Sequence, residues 1–297
     1  MTRPRWEVVV MGARRRAWAV SIAAVVALSG CATPLEGGRP QAPIGIESID
    51  PTAIAPETLV GLWRVRDAEG EAPETWLRLA GGSYPLWRDC GFVEGGWSAS
   101  SDRLFVASTP FAAVSDCGGD IPAVPWLESV REVAPINDGG WELRDASGEP
   151  VATLVVDGAP DPIANAADFY AAPPEVDDEV RDRLREPAPV PDGLTPATRD
   201  QLIGRWVPVG AMHTDAHVEL ADDGTYTGSD GCNGASGAWA AGDGGRFLAT
   251  SGLSTMIGCD GAQVPGWLGT AGRAAFDGEL LVLLDADGAE LGRLVRA

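Results

Sequence analysis

Short apolar runs broken by glycine turns recur along this chain, and they recur twice at matching intervals. TLVGLWRV from Thr58 and QLIGRWVPV from Gln201 each carry a tryptophan in a run that suits a strand buried on at least one face. TWLRLAGGSY, Thr75 to Tyr84, and AHVELADDGTY, Ala216 to Tyr226, read as strands running into a glycine turn that presents an aromatic residue. Gly81-Gly82 and Asp223-Gly224 are the hairpin signals, because glycine supplies the positive φ of a tight turn. RLFVAST from Arg103 and RFLATS from Arg246 are strand-like again. Two closing hairpins, WELRDASGEPVATL from Trp141 and LLVLLDADGAELGRL from Leu280, place Gly148 and Gly288 in their turns. Short strands at this spacing predict a mainly β protein of sandwich or barrel type, with about six strands per copy.

One helix per copy interrupts the strands. Trp126, Leu127, Val130 and Val133, and later Trp267, Leu268, Ala271 and Ala274, stand at i, i+1, i+4 and i+7, which puts all four on one helix face. Asp120 and Asp260 precede them as possible caps.

The repeat is sharpest around DGCNGASGAW, Asp230 to Trp239, whose echo, DCGFVEGGW, lies 142 residues earlier at Asp89 to Trp97. Cys232 falls on Cys90, Gly237 on Gly95, Trp239 on Trp97 and Cys259 on Cys117, so the cysteines stand 27 positions apart in both copies. Four cysteines allow three connectivities. The repeat favours the pairing within copies, Cys90 with Cys117 and Cys232 with Cys259, as an oxidising compartment would permit. A metal site is disfavoured by the absence of CxxC spacing or a neighbouring histidine.

The fifth cysteine belongs to a different segment. Arg3, Arg5 and Arg14 to Arg16 precede a 12-residue apolar run, Ala17 to Leu28, too short to span a bilayer comfortably. It ends in Leu28-Ser29-Gly30-Cys31, which resembles the bacterial lipobox and implies lipidation of Cys31. The expected organisation is a lipoprotein signal segment over 1–31 and a proline-rich flexible tether over 32–56. A first domain over 57–157, a connector over 158–196 and a second domain over 197–297 follow. The connector is rich in proline and acids, with a short helix expected at Glu175 to Glu186, where acids lead and arginines follow. Val180 and Leu184 leave open whether it is a solvated linker or docks on a domain.

Composition narrows the partners. The 297 residues include no lysine, and the net charge is −21. The first 30 residues hold five of the 22 arginines and one of the 43 acids, so the rest is more negative still. Such a surface repels nucleic acid and anionic headgroups, leaving a lipid anchor as the expected membrane contact.

GRW at Gly204 to Trp206, GCN at Gly231 to Asn233, Gly237 to Trp239, STMIGC at Ser254 to Cys259 and the Asp287-Gly288 turn together resemble the META-domain family, which includes a heat-inducible bacterial envelope lipoprotein. The resemblance covers residues 197–297. Copy one departs from it, with Gly91 in place of the asparagine and Ser115-Asp116 before its cysteine. The resemblance implies a lipocalin-like antiparallel barrel with one helix, and the internal repeat extends this to two tandem small barrels, each with one internal disulfide.

No catalytic, cofactor-binding or metal-binding residue is identified. His213 and His217, the only histidines, lead into a strand, where i and i+4 lie about 13 Å apart, so they lack the geometry of a helical HxxxH pair. Asp222 to Gly224 and Asp285 to Gly288 lack the ligand ladder of a calcium loop and read as turns. Ser236 has no credible base, and no phosphate loop occurs. Trp63, Trp97, Trp206 and Trp239 read as core. The expected function is that of a monomeric, non-catalytic, lipid-anchored protein on the extracytoplasmic face of the cell membrane. It binds an unknown envelope partner or supports envelope integrity under stress, and the second copy, which keeps the family pattern, is the expected recognition half. The alternatives are a small-ligand binder using a barrel interior or mouth, and a carboxylate-based hydrolase or an inhibitor.

Overall fold

The computed structural model describes residues 52–89, 91–108, 111–115, 123–161, 171–210, 215–250, 252, 254, 258 and 261–297. All of them belong to one compact unit, Ile49–Ala297. Cys31, Cys90, Cys117, Cys259, His213, Asp120, Asp260 and the signal segment lie outside the described residues.

The strands form two antiparallel sheets. The first takes β1 (Gly61–Arg66), β2 (Trp76–Leu79), β3 (Ser83–Arg88), β4 (Gly91–Ala99), β5 (Phe105–Ala107), β6 (Ala112–Ser115), β7 (Glu132–Pro135), β8 (Trp141–Arg144) and β9 (Pro150–Val155). Its order is β5-β4-β3-β2-β1-β9-β8-β7, with β6 paired to β4. The second takes β10 (Thr195–Pro196), β11 (Gly204–Pro208), β12 (His217–Leu220), β13 (Thr225–Ser229), β14 (Gly234–Ala241), β15 (Phe247–Ala249), β16 (Arg273–Asp277), β17 (Leu280–Leu284) and β18 (Glu290–Arg296). Its order is β10-β16-β17-β18-β11-β12-β13-β14-β15. Nine strands per sheet exceed the expected six, because short pieces such as β6 and β10 carry no apolar alternation of their own. Among the described residues no closed ladder is found. The edges of the first sheet meet at a single bridge, Leu104 with Glu132, and Arg246 bridges Arg273 in the second.

Each sheet wraps its own core, and the two cores are built alike. A helical turn opens each: a 3-10 turn at Pro56–Leu59 in the first, and α3 in the second, where α3 is Arg199–Leu202. Gln201 Oε1 accepts the Thr198 N–H at 2.9 Å, half of a capping box. Each turn offers a leucine carbonyl to the tryptophan four residues on. Trp63 Nε1 donates to Leu59 O at 2.8 Å, and Trp206 Nε1 to Leu202 O at 2.7 Å. The hydroxyl of Tyr84 donates to Ser108 O at 2.7 Å, and that of Tyr226 to Thr250 O at 2.8 Å. Trp97 stacks on Phe105 at 5.9 Å and Trp239 on Phe247 at 6.3 Å. All four repeated tryptophans are buried, as their placement in strands predicts.

The helices are shorter than their periodicity suggests. α1 is Pro125–Ser129, α2 is Asp178–Leu184 and α4 is Val264–Thr270. Val133 and Ala274, expected on the helix faces, lie instead in β7 and β16, where both are fully buried. The first helix stops because side chains take its last carbonyls. Ser129 Oγ donates to Trp126 O at 2.7 Å, and Arg131 Nη1 to Glu128 O at 2.7 Å and Val130 O at 2.8 Å.

Residues 171–196 are not a solvated linker. Asp177 caps α2 by accepting the Val180 N–H at 2.9 Å, and Val180 and Leu184 are buried in the first core. Val190 and Leu194 pack on Ala275, Val282 and Leu284 of the second sheet, and β10 pairs with β16. Within the segment expected as a tether, 32–56, Ile54 packs on the first core and its N–H donates to Ser101 O at 2.9 Å.

Candidate functional site

The segment that carries the family pattern forms a tight turn between β13 and β14. Asp230 Oδ1 accepts the N–H of Cys232 at 2.8 Å and of Asn233 at 2.6 Å, and its Oδ2 accepts Asn233 Nδ2 at 2.8 Å. Hydrogen bonds from the Asn233 side chain, the Asn233 N–H and the Cys232 N–H hold the Asp230 carboxyl below its usual range. Gly231 takes the positive φ of the turn, +102°. Asn233 therefore serves the turn by donating to Asp230. The geometry is that of a structural turn next to a cysteine.

The corresponding end of the first sheet is charged instead. The Glu71 side chain, 3 % exposed within a half-buried residue, pairs with Arg88 through Nε at 2.9 Å and through Nη2, and accepts Trp126 Nε1 at 2.8 Å and Thr75 Oγ1 at 3.2 Å. Burial alone would raise its pKa. The bonds from Arg88 and Trp126, the Arg88 charge and the Thr75 hydroxyl outweigh burial and bring it below the usual value. A cleft of about 750 Å³ opens beside it, lined by Asp67, Glu69, Arg88, Trp126, Pro150 and Val151.

A third constellation lies where β4 and β5 meet β14 and β15. Val106, Ala238, Ala240 and Leu248 form a small apolar cluster there. Glu186, from the segment after α2, binds Arg246 through a short bond and Arg273 at 2.8 Å, and it accepts the Ser101 hydroxyl. Asp102 stands 3.5 Å from Arg246 Nε. Arg131 Nη2 donates to Asp223 O at 2.6 Å, and Arg199 to Asp222 O, so arginines from both halves grip one hairpin turn.

The residues singled out from sequence have modest roles. His217 Nδ1 lies 2.8 Å from Asp215 O. Asp223 Oδ1 accepts the Thr225 N–H at 2.8 Å, and Asp285 Oδ1 accepts those of Asp287 at 2.9 Å and Ala289 at 2.8 Å, so both acidic pairs are turn formers. Burial pushes the Tyr226 phenol up to about 12. Among the described carboxylates with a perturbed pKa, Glu71, Asp145, Glu186, Asp223 and Asp230, every one is lowered, whereas a general acid needs the opposite. No group of three or more metal-ligating side chains occurs among the described residues. Sequence reasoning missed Glu71 with Arg88 and Glu186 with Arg246 and Arg273. These partners stand 17, 60 and 87 positions apart, and nothing local marks them.

No curated protein and no solved structure matches the chain. One family model does match: residues 200–297 are similar to the family described as the META domain.

Proposed function

We propose that the chain is an exported envelope lipoprotein, anchored through Cys31 on the extracytoplasmic face, in which two META-like units form a non-catalytic platform for an envelope partner or for envelope integrity under stress. The family match over residues 200–297 carries this reading, since the META domain suggests envelope association. Support for two copies comes from the paired bonds, Trp63 with Leu59 and Trp206 with Leu202, Tyr84 with Ser108 and Tyr226 with Thr250. The non-catalytic reading rests on carboxylates held low. Tyr84, Trp97, Phe105, Trp206, Trp239 and Phe247 fill the interiors, which favours a surface partner over a ligand inside a barrel. The cleft beside Arg88 and Trp126 favours, as a second reading, a small ligand at the mouth of the first unit.

Cys90 pairs with Cys117 and Cys232 with Cys259 in this proposal. Each bridge closes a loop of about 28 residues, restricting the unfolded chain by about 3 to 4 kcal/mol in the chain-entropy model. Non-reducing peptide mapping tests the pairing, and a Cys90–Cys232 peptide overturns it. Cys31→Ala tests the location: the variant is expected in the soluble extracytoplasmic fraction, and retention in the membrane fraction overturns the anchor. A deletion strain tests the role. Growth identical to wild type under heat and detergent, together with recovery of no partner after cross-linking in the intact envelope, overturns it.

A further inference from the structure

A small cavity of about 70 Å³ lies between the two sheets and α2, and its lining is unusual for so acidic a chain. Arg183, Arg185 and Arg246 face it together with Ser98, Ser100 and Thr270, with Arg185 itself paired to Asp182 and Asp287, and no carboxylate is among the described lining residues. At about 30 Å³ per water, the space suits roughly two waters or one tetrahedral oxyanion.

Two of the arginines are placed but incompletely used. Arg246 is 5 % exposed, and its Nε has no hydrogen-bond partner, the Asp102 carboxylate at 3.5 Å being near enough for charge but not for a bond. Its Nη2 is committed to Glu186, which is not among the described lining residues of the cavity. Arg183 makes no hydrogen bond or ion pair among the described residues, and only Glu179, one turn back on α2, acts on it by charge. The guanidinium lies on the bare Cα of Gly82, where an added Cβ would come within 2.5 Å of Nε and Nη2. Gly82 has φ +92°, so the hairpin glycine both makes the turn and admits the arginine. Arg183 is exposed to solvent, and the partial desolvation of its guanidinium lowers its pKa while the Glu179 charge opposes that shift.

We propose that this cavity binds a small tetrahedral oxyanion of the inorganic phosphate or sulfate class, held by Arg183 and Arg246 across the junction of the two units. Guanidinium groups suit such an anion because their planar donors match its oxygens in pairs. A bound anion would tie α2 and the Gly82 hairpin of the first unit to Arg246 of the second. The site rests on neither the family resemblance nor the anchor, so it stands or fails apart from them.

Thermal unfolding of the full chain with inorganic phosphate tests it, with sodium chloride at matched ionic strength as the control. Ligand binding to the folded state alone predicts a saturable rise in Tm on the order of 5 °C at a hundredfold excess over Kd. The rise is expected to be absent with chloride, lost in Arg183→Gln and kept in Arg205→Gln, which removes an arginine of β11 outside the lining. A wild-type chain without a saturable phosphate-specific shift overturns the proposal. So does an Arg183→Gln variant that keeps the whole shift.

Discussion

Arg131 donates its Nη2 hydrogen to the backbone carbonyl of Asp223 at 2.6 Å, so a side chain that ends the first helix also fastens a hairpin of the second sheet. The approach needs Gly224, whose Cβ, if present, would stand 2.7 Å from the same nitrogen. Burial first, and then the Arg199 charge beside it, lower the Arg131 pKa, while Asp223 opposes them. The two sheets therefore meet through directional bonds as well as through Val106, Ala238, Ala240 and Leu248.

The Glu186 node makes this junction sensitive to acid. Burial raises the Glu186 pKa, but bonds from Ser101 and Arg246 and the charges of Arg246 and Arg273 outweigh it and bring the pKa below the ordinary 4.5. A depressed folded-state pKa means that the stabilisation is fully present above 4.5 and is lost as pH falls through the folded value. Urea midpoints of wild type and Glu186→Gln are expected to differ at pH 7 and to converge as pH falls from 4.5 toward 3. A difference that persists unchanged at pH 3 would sink the assignment.

Gly237 tests the packing of the second core. A Cβ there would stand 2.5 Å from Thr250 O and 2.6 Å from the Tyr226 ring, displacing the bond between them. Gly237→Ala is expected to cost about 1 to 3 kcal/mol by overpacking, read from urea unfolding. Gly95→Ala, whose Cβ would meet the Tyr84 ring at 2.6 Å, should behave alike. A change below about 0.5 kcal/mol in both would mean that the tyrosine pockets have slack.

These glycines show how legible the chain was. Gly95 and Gly237 stood out because the repeat aligned them, and the hairpins at Gly148 and Gly288 were readable because a turn is a local event. The helix faces were misread past Ser129 and Thr270. Val133 and Ala274 are buried just as a helix face would bury them, and a run of apolar residues does not reveal where α gives way to β. The junction was invisible for another reason. Glu186, Arg246 and Arg273 lie on three separate segments, and in a chain rich in acids and arginine each looks like ordinary solvated surface.

Glu71 is the buried carboxylate whose removal should be felt most. Glu71→Ala leaves the Arg88 guanidinium and the Trp126 N–H without their acceptor, and breaking such a pair costs about 3 kcal/mol. Replacing both members, Glu71→Met with Arg88→Met, removes the orphaned charge and is expected to recover part of that loss. Urea unfolding of the three proteins decides the matter. A double variant less stable than Glu71→Ala would show that the pair contributes more than its own desolvation costs.

The place at which the chain is cut should decide whether the second half folds alone. A chain starting at residue 197 loses Val190 and Leu194, which cover Ala275, Val282 and Leu284, and loses β10 from the edge of β16. It also loses Glu186 from Arg246 and Arg273, and the bond from the Ala188 N–H to Ala286 O at 3.0 Å. A chain starting at residue 186 keeps all of these contacts. It still exposes Ala238, Ala240 and Leu248 where β14 and β15 meet the first sheet, so it is expected to be less stable than the whole. The predicted order of urea midpoints is full chain, then 186–297, then 197–297, with the shortest expected to aggregate through its uncovered sheet face. Equal midpoints for the two truncated chains would show that residues 186–196 merely lie against the second sheet and do not stabilise it. The same order bears on recognition: a partner captured by the full chain and by 186–297 but not by 197–297 locates its surface on the second unit and traces the failure of the shortest chain to folding.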